Sequence, residues 1–267
     1  MSKHLRLRLF IDNAEIASDE QFEVRDPGRL SDVVGMVDAA QAHHVRQAVE
    51  AAHRAFGIWR EVPVAERVQR LAAAAEALEQ RASELAVLLV REQGMLLRDT
   101  QRDLNNGVRS LREMASIAPR FLAREQFEDE ASLVRVEKMP RGVVAAIVPW
   151  NAPLGLTMGK VGPALAAGNT LVVKPSPHAP LAVSLALQAI AAFFPPGAIN
   201  VVHGDGDVGP TLTRHPLVRM VSFTGGTRTG KAVMAAAAES IKNVALELGG
   251  NDAAIGLGGN GPARVGA

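Results

Sequence analysis

Short apolar segments alternate with longer, helix-length segments between Val143 and Glu247, and this alternation constrains the fold more than any other feature. The predicted strands, rich in β-branched residues, are Val143–Val148, Thr170–Val173, Ile199–Val202, Met220–Phe223 and Val244–Leu246. The predicted helices between them are Leu154–Ala167, Leu181–Phe194, Asp207–His215 and Gly226–Ala238. Apolar strands joined by crossover helices are typical of a parallel sheet covered by helices on both faces. The sequence therefore predicts an α/β fold.

Turn-forming and polar residues follow the carboxyl ends of these strands. They are Pro149-Trp150-Asn151, Lys174-Pro175, Gly204-Asp205-Gly206, Thr224-Gly225-Gly226 and Glu247. Open parallel sheets bind their ligands in the crevice beyond the carboxyl ends of the strands. We therefore predict a domain of nucleotide-binding type, with its site at this edge of the sheet.

The bulk composition excludes several classes of partner. The 267 residues are 48% hydrophobic and 21% charged, which is ordinary for a globular protein. The net charge is +1 with interspersed signs, which favours neither nucleic acid nor an anionic membrane as a partner. Basic and apolar residues alternate over Met1–Phe10, so no secretory signal is predicted. Since no apolar run is long enough to cross a bilayer, we expect a cytoplasmic protein.

Cysteine is absent from these 267 residues. Disulfides, thiolate metal sites and a cysteine nucleophile are therefore excluded within the chain. The seven histidines show no ligand spacing, and His43-His44 and His53 are predicted to be solvated helix positions. We predict no metal site.

The N-terminal region is predicted to contain short strands. Leu5–Ile11 and Phe22–Val24 are predicted to flank the polar turn Asp12-Asn13, and Asp32–Val37 is a weaker strand.

Helices are predicted to follow these strands. Helical spacing begins with Val45–Phe56, and Pro63 is predicted in the first turn of a helix whose apolar stripe ends near Gly94. A polar helix over Thr100–Leu122 closes the region.

Two further segments differ from their surroundings. Leu133–Met139 alternates as a strand beside acidic, loop-like residues, so we predict that it lies outside the main sheet and pairs with another chain. Gly256–Ala267 is too rich in glycine for a helix or strand. It is either a disordered end or a segment that follows the natural reading frame, which would then stop near Ile255.

A glycine turn between a strand and a helix offers a phosphate site. Thr224-Gly225-Gly226 precedes a predicted helix N-terminus, whose free N–H groups and dipole attract anions. Gly225–Lys231 also fits most of the P-loop pattern G-x-x-x-x-G-K, but Ala232 stands where that pattern needs Ser or Thr. A glycine-turn phosphate site that differs from a P-loop is therefore favoured. A P-loop and a turn that binds no ligand are the remaining alternatives.

Three polar residues at strand ends are candidates for chemistry. Lys174 could donate to ribose hydroxyls or a phosphate, or it could be solvated. Asn151 could donate to a developing oxyanion, or its side chain could bond its own turn. Glu247, beside Gly249-Gly250, could be a mobile general base or a solvated carboxylate.

Together these residues resemble the aldehyde dehydrogenase superfamily. The matching segments are Val148-Pro149-Trp150-Asn151-Ala152-Pro153-Leu154, Pro163–Thr170, Val173-Lys174-Pro175-Ser176, Phe194-Pro195-Pro196-Gly197 with Asn200, Phe223-Thr224-Gly225 and Leu246-Glu247-Leu248-Gly249-Gly250. The N-terminal matches are Ala55-Phe56 with Trp59, Glu66-Arg67 and Arg91-Glu92-Gln93-Gly94. Each segment alone is weak, but their order is highly specific, and the likeness runs from Leu9 to about Ile255.

The resemblance implies an oxidoreductase that converts an aldehyde to a carboxylic acid with NAD or NADP, through a thiohemiacetal and a thioester on a cysteine. Asn151 would match the oxyanion-hole amide and Glu247 the general base. Lys174 would bond the adenosine ribose, and Gly225 and Gly230 would form the pyrophosphate turn. The other residues expected at the cofactor are Val148, Pro149, Trp150, Ser176, Pro177, Gly206, Thr224, Gly226, Leu248 and Gly249.

The resemblance also implies a domain plan. Residues 1–255 would form an NAD(P)-binding domain, with N-terminal strands and helices to residue 125, a bridging strand over 132–140 that serves homo-oligomers, and a Rossmann-like sheet over 141–255. Residues 256–267 would be an aberrant tail. The catalytic domain, which carries the family's cysteine, is expected to be absent, so the chain alone is expected to be truncated and inactive. A homo-oligomer is then an expectation for the intact family only.

Two departures from the family pattern concern the cofactor. Pro177 stands where many members carry a Glu that bonds the ribose 2′-hydroxyl, so we predict that NADP is tolerated. Gly226 stands where Ser is usual, which removes one phosphate hydrogen bond. Two rival hypotheses remain, a dinucleotide-binding or vestigial protein without catalysis and a P-loop-like phosphate binder.

Overall fold

A computed structural model gives the fold of residues 5–251 and 253, and the predicted tail Gly256–Ala267 lies outside this described part. The strands are β1 (Leu5–Leu7), β2 (Leu9–Ile11), β3 (Ala14–Ile16), β4 (Gln21–Asp26), β5 (Arg29–Asp38), β6 (Glu125–Glu128), β7 (Leu133–Val136), β8 (Val143–Ile147), β9 (Thr170–Lys174), β10 (Ile199–Val201), β11 (Val218–Gly225) and β12 (Asn243–Leu248). The helices are α1 (Ala42–Trp59), α2 (Val64–Gln80), α3 (Ala82–Gln93), α4 (Leu97–Phe121), α5 (Pro153–Ala166), α6 (Leu181–Ala191), α7 (Val208–Arg214) and α8 (Thr227–Ala238). None of these helices is both long enough and apolar enough to span a bilayer.

A seven-stranded sheet in the order β12-β11-β8-β9-β10-β2-β3 forms the centre of the fold. The strands from β12 to β10 are parallel, as predicted, and the α/β fold is confirmed. The sheet is mixed, however, because β2 and β3 extend it as antiparallel strands. The expectation that the N-terminal strands merely precede a parallel sheet was therefore incomplete. The added hairpin covers the edge of β10, which would otherwise expose unpaired backbone groups.

The turn predicted at Asp12-Asn13 is present and joins β2 to β3, a strand that was not predicted. Both residues have positive φ, 56° and 59°, and they join Ile11 directly to Ala14. Because the turn contains only two residues, the residues that follow it directly form β3 and pair with β2. The predicted strand Phe22–Val24 lies within β4, which pairs with β5 in a three-stranded sheet with β1. The predicted strand Leu5–Ile11 is also divided between the two sheets.

The apolar stripe that ends at Gly94 belongs to two helices and not to one. α2 ends at Gln80, and Arg81, with φ −96° and ψ 5°, turns the chain before α3. The Arg81 guanidinium donates to the Leu185 carbonyl at 3.3 Å and to Glu84, which holds the turn against α6. Helical spacing continues across the break, and this explains why the pattern did not reveal it.

The segment β7 lies outside the main sheet, as predicted from its alternation. It pairs with β6 in an exposed antiparallel hairpin, and both strands are exposed along their whole length. Its pairing with another chain stays a prediction, as do the domain boundaries.

Trp59 ties the N-terminal helices to the sheet layer. Its buried indole N–H donates to the Leu165 carbonyl of α5 at 3.0 Å. Its ring packs edge-on against Phe194, with centroids 5.4 Å apart. The same apolar core continues through α2, α3 and α4 to β8, β9 and β10, so the helices and the sheet share one interior.

Two buried carboxyl side chains cap the helices that follow β8 and β9. Asp103 of α4 accepts hydrogen bonds from the N–H groups of Leu154 and Gly155, each at 2.9 Å, at the start of α5. Glu92 of α3 accepts from Leu181 at 2.7 Å and from Ala182 at 2.8 Å, at the start of α6. These residues satisfy N–H groups that would otherwise be orphaned at buried helix ends. They also set the position of each helix relative to the N-terminal region.

Glu92 makes stability depend on pH. Burial raises the pKa of its carboxyl group to about 8, although the N–H groups of Ala182 and Leu181 oppose the shift. A carboxyl group with a raised folded pKa stabilises most at low pH, and this contribution is lost as the pH rises through the folded pKa. Burial lowers the pKa of His203 to about 4 from its ordinary value of 6.5. The neutral, buried His203 therefore makes stability increase with pH, but only up to about pH 6.5. We expect the free energy of unfolding to fall from about pH 6.5 to 8, by up to about 1.4 kcal/mol per pH unit.

The variant Glu92→Gln tests this expectation, because an amide does not titrate. Guanidinium denaturation across the same pH range should give a flat profile for Glu92→Gln. Glu84→Gln, on the same helix, is the control, since Glu84 is exposed and the Arg81 hydrogen bond lowers the pKa of its carboxyl group. A slope that survives in Glu92→Gln would contradict the assignment.

A strained turn ends α8. The Lys242 N–H donates to the Ala237 carbonyl at 3.0 Å and the Ile241 N–H to Ala238 at 3.3 Å, which is the Schellman pattern. Ile241 occupies its left-handed position, with φ 51°, and its side chain is 92% exposed. A β-branched residue there is a genuine outlier, because its Cβ crowds the backbone.

Ile241→Gly should therefore raise the free energy of unfolding by about 1 kcal/mol, because glycine adopts this conformation without strain. Ile117→Gly, which replaces a half-exposed isoleucine inside α4, should lower it by about 1 kcal/mol. Thermal and chemical denaturation measure both changes. Destabilisation by both variants would show that Ile241 carries no strain.

Candidate functional site

The strand register brings the predicted site residues to one edge of the sheet. Ile147 of β8 lies opposite both Lys174 of β9 and Phe223 of β11. One step further along, Thr224 pairs with Glu247 and Gly225 with Leu248. The strand-end residues predicted from sequence therefore do lie side by side along the carboxyl edge.

The turn between β11 and α8 leaves helix N–H groups free. Gly226 is the N-cap of α8, and no side chain caps this helix. A Cβ at Gly226 would meet no atom within 4 Å, whereas one at Gly225 would lie 2.6 Å from Phe223 Cζ. The hydroxyl of Thr224 is buried and has no hydrogen-bond partner in the described structure. This end of α8 therefore presents donors and open space together, as an anion site requires.

Gly230 has a packing role inside the first turns of α8. A Cβ there would lie 2.5 Å from Leu248 Cδ2, so the glycine lets β12 approach the helix. Since α8 begins at Thr227, only Gly226 separates it from β11. That spacing leaves no loop able to wrap a triphosphate between Gly225 and Gly230, and Lys231 is exposed on the helix. The geometry is not that of a P-loop.

Lys174 is held in a buried position at the end of β9. Its residue is 8% exposed, and burial lowers the pKa of its ammonium group, with Asp205 opposing the shift. Its carbonyl accepts from the Val148 N–H at 3.2 Å, which ties the ends of β8 and β9 together. No carboxylate forms an ion pair with its ammonium group in the described structure. A buried, unpaired cation at a strand end is a ready donor for an anionic or hydroxylated ligand.

Asn151 lies in the loop that joins β8 to α5. Asp103 fixes the end of this loop at α5, and Gln93 Nε2 donates to the Trp150 carbonyl at its beginning. Asn151 is exposed, and Trp150 is 50% exposed. The loop is therefore anchored on both sides while its amide faces outward.

Glu247 lies on the edge strand β12 with an exposed side chain. Lys160 of α5 is close enough to attract it, and the Lys160 ammonium also donates to Ser222 Oγ at 3.1 Å. Burial lowers the pKa of Lys160, and the charge of Glu247 opposes the shift. Lys160 thus joins α5, β11 and β12 beside the candidate base.

Trp150 and Pro177 line one cleft of about 580 Å³ together with Gln93, His178 and Glu92. Ser176 is buried, and its hydroxyl accepts from the His178 N–H at 3.3 Å. The predicted residues Val148 and Pro149 lie at the start of the neighbouring loop.

Gly206 and Gly249 are open positions. A Cβ would meet nothing within 4 Å at either residue, although Gly206 has a φ of 55° that favours glycine. Neither residue shows a contact that assigns it a role. Among the described residues, no group of three or more His, Asp and Glu side chains could hold a metal ion.

Three residues that support the site escaped the sequence reasoning. Glu92 was noted only as part of a resemblance, and Asp103 and Lys160 were not singled out. Lys160 is the one charged residue of α5, and this isolated charge was a usable signal. Asp103 gave none, because it lies in a polar helix far from α5 in sequence.

The fold is of the α/β class, with a mixed sheet and helices on both faces, and the predicted residues Lys174, Thr224, Gly225 and Glu247 lie along its carboxyl edge. A sequence profile described as the aldehyde dehydrogenase family matches residues 15–258. The chain belongs to the aldehyde dehydrogenase family, and the resemblance drawn from the sequence is confirmed.

Three known proteins illustrate this similarity. An aldehyde dehydrogenase of Didymella fabae is 39% identical over 239 residues, which cover 88% of this chain and 48% of that protein. The solved structure of an E. coli NADP-dependent enzyme is 36% identical, with a TM-score of 0.88 over 92% of this chain and 52% of the other. Betaine aldehyde dehydrogenase of Staphylococcus aureus in complex with NAD+ is 32% identical, with a TM-score of 0.88 over 93% and 50% of the two chains. The chain spans about half the length of the relatives it matches.

The glycine turn gives a matched pair of variants. Gly225→Ala should lower the free energy of unfolding by about 1–3 kcal/mol, because the new methyl group would collide with the buried Phe223 ring. Gly226→Ala should change it by less than about 0.5 kcal/mol, since its Cβ points into open space. Chemical denaturation distinguishes them, and equal effects of the two substitutions would contradict the geometry of the turn.

Proposed function

We propose that this chain binds NAD or NADP at the carboxyl edge of its sheet and supplies the cofactor-binding part of an aldehyde-oxidising enzyme. The observation that carries the proposal is the uncapped start of α8 at Gly226, beside the unpartnered Thr224 hydroxyl and near the end of β9 with Lys174. The E. coli NADP-dependent enzyme and the NAD+ complex of the Staphylococcus aureus enzyme support it by similarity.

The donors present fit a dinucleotide. The free N–H groups of α8 and the open space at Gly226 suit a pyrophosphate. Lys174 would donate to the ribose of the adenosine half, and Val148, Pro149, Trp150, Ser176 and Leu248 would line the remaining contacts. When bound, the nicotinamide would accept a hydride from the substrate.

Two residues are proposed for the chemistry on the aldehyde. The Asn151 amide would donate to the oxygen of the substrate carbonyl as negative charge develops on it, because its loop is anchored by Asp103 and Gln93. Glu247 would accept a proton from the attacking water, and Lys160 would hold positive charge beside it. The aldehyde itself stays unspecified.

Covalent catalysis of the kind found in this family needs a thiolate, and these 267 residues contain no cysteine. We therefore propose that the 267-residue chain by itself binds the dinucleotide without oxidising aldehydes. Aldehyde-dependent formation of NADPH by the purified chain would overturn this part of the proposal. A cytoplasmic location and a homo-oligomer remain predictions.

A fluorescence titration with NADH and NADPH tests the binding. The purified chain should bind both, because Pro177 places no carboxylate against a ribose 2′-phosphate. Lys174→Met should weaken binding about tenfold or more, because a charged hydrogen bond is lost. The same variant should not lower thermal stability, since methionine has a similar volume and the substitution removes a buried, unpaired charge. Weak binding combined with full stability excludes unfolding as the cause.

Two further variants separate the alternatives. Pro177→Glu should weaken the binding of NADPH more than that of NADH, because it adds a carboxylate that repels the 2′-phosphate. A P-loop-like protein would instead show magnesium-dependent ATP binding that Lys231→Met abolishes. The absence of saturable binding of either dinucleotide to the folded chain would refute the proposed function.

A further inference from the structure

The opposite, amino edge of the sheet carries a second polar cleft. Its volume is about 470 Å³, and we name it the amino-edge cleft. Three cations line it, namely Arg141 before β8, Arg219 at the start of β11 and Lys242 before β12. Ser240 and Asn243 add a hydroxyl and an amide. No Asp or Glu is among the lining residues of the described structure.

The fold positions the three cationic residues at this edge by different contacts. The Lys242 ammonium donates to the His215 carbonyl at 3.0 Å, and its backbone lies in the Schellman turn that ends α8. A Cβ at Gly142 would lie 3.1 Å from Arg219 Cγ, so the glycine, with φ 128°, makes room for the stem of Arg219. The Arg141 N–H donates to Asn169 Oδ1 at 2.6 Å. The fold therefore fixes the Lys242 ammonium group and the chain positions of Arg141 and Arg219, while the guanidinium groups of these two exposed residues stay accessible to a ligand.

The charges in the cleft lack a counter-charge. Burial lowers the pKa of Lys242, Arg219 lowers it further, and Glu239 opposes the shift. Glu239, however, forms its ion pair with Arg214 at 3.2 Å. No carboxylate of the described residues forms an ion pair with Arg141, Arg219 or Lys242. Like charges held together without a partner repel each other, and a bound anion would relieve this repulsion.

The positive charge extends beyond the lining residues. Arg67 of α2 is buried, and burial lowers the pKa of its guanidinium group. Its Nε has no hydrogen-bond partner. It contacts Gly168, where a Cβ would lie 2.0 Å from Arg67 Nη1, and Pro140 of the cleft packs against the same glycine. Arg67 therefore lies behind Pro140 and does not line the cleft itself.

We propose that the amino-edge cleft is a binding site for a small divalent oxyanion, separate from the dinucleotide edge. Two guanidinium groups and an ammonium group supply charged donors, and guanidinium groups match the geometry of oxyanions. The Ser240 hydroxyl and the Asn243 amide complete the donor set. A phosphate group and a dicarboxylate share this chemistry, and the site lies far from any step proposed for the aldehyde.

Titration of the 267-residue chain with phosphate and with succinate tests the site. Binding is measured by calorimetry and by thermal denaturation, and chloride is added so that the ionic strength stays constant. We expect a saturable rise in melting temperature with at least one anion. The anion that gives the larger rise shows whether the ligand carries a phosphate or a carboxylate group. Changes identical to those in chloride would overturn the proposal, because they would reflect screening alone.

Variants locate the binding. Arg219→Gln and Lys242→Gln should each weaken it about tenfold, since each removes one charged hydrogen bond. Arg29→Gln is the matched control, because it removes an equally positive, exposed side chain on β5 and should leave the affinity unchanged. Arg228→Gln, at the start of α8, should also leave it unchanged. Loss of binding in Arg228→Gln with retention in Arg219→Gln would move the anion to the dinucleotide edge and refute the site.

Discussion

Two long-range helix caps hold this structure together. Asp103 and Glu92 lie on helices of the N-terminal region, and each closes the first turn of a helix that follows a central strand. A helix that begins inside a protein leaves N–H groups without partners, and a buried carboxylate satisfies two of them at once. Burial raises the pKa of both carboxyl groups, and the hydrogen bonds from the helix N–H groups oppose this shift. Each cap therefore forms in spite of the cost of desolvating its carboxyl group. The positions of α5 and α6, and with them the loops of the candidate site, depend on these contacts.

A comparison of the helix N-termini supports the proposed site. α5 and α6 have their N–H groups occupied by protein carboxylates, whereas α8 starts at Gly226 with no side-chain cap. Because α7, which follows β10, also lacks a side-chain cap, our proposal of a ligand phosphate at α8 rests on the open helix end together with the buried Thr224 hydroxyl, which has no partner in the described structure. The amino edge of the sheet shows the complementary situation, since Arg141, Arg219 and Lys242 line one cleft there and no Asp or Glu is among its described lining residues. On these proposals, one sheet would bind anions at both edges, through backbone N–H groups on one edge and cationic side chains on the other.

Much of the sheet was predictable because its signals are local. The β-branched runs, helix lengths and Gly or Pro turns between Val143 and Glu247 located the strands and helices to within a few residues, and the order of the motifs identified the family. The mixed character of the sheet was not predictable in this way, because it arises where β2 pairs with β10, and the paired residues Phe10 and Val201 lie far apart in the sequence. The break at Arg81 was hidden because its neighbours keep helical spacing. Asp103 and Glu92 act on residues 51 and 89 positions away, and no local pattern records such contacts.

Hydrogen exchange with and without NADPH tests the central claim most directly, namely that the open end of α8 receives the cofactor. The account predicts that NADPH slows exchange of the amides from Gly225 to Thr229, together with those around Lys174. Amides at the amino edge, from Ser240 to Asn243, should exchange at an unchanged rate. Protection at the amino edge alone, or no protection at the start of α8 under conditions where NADPH binds, would contradict the account.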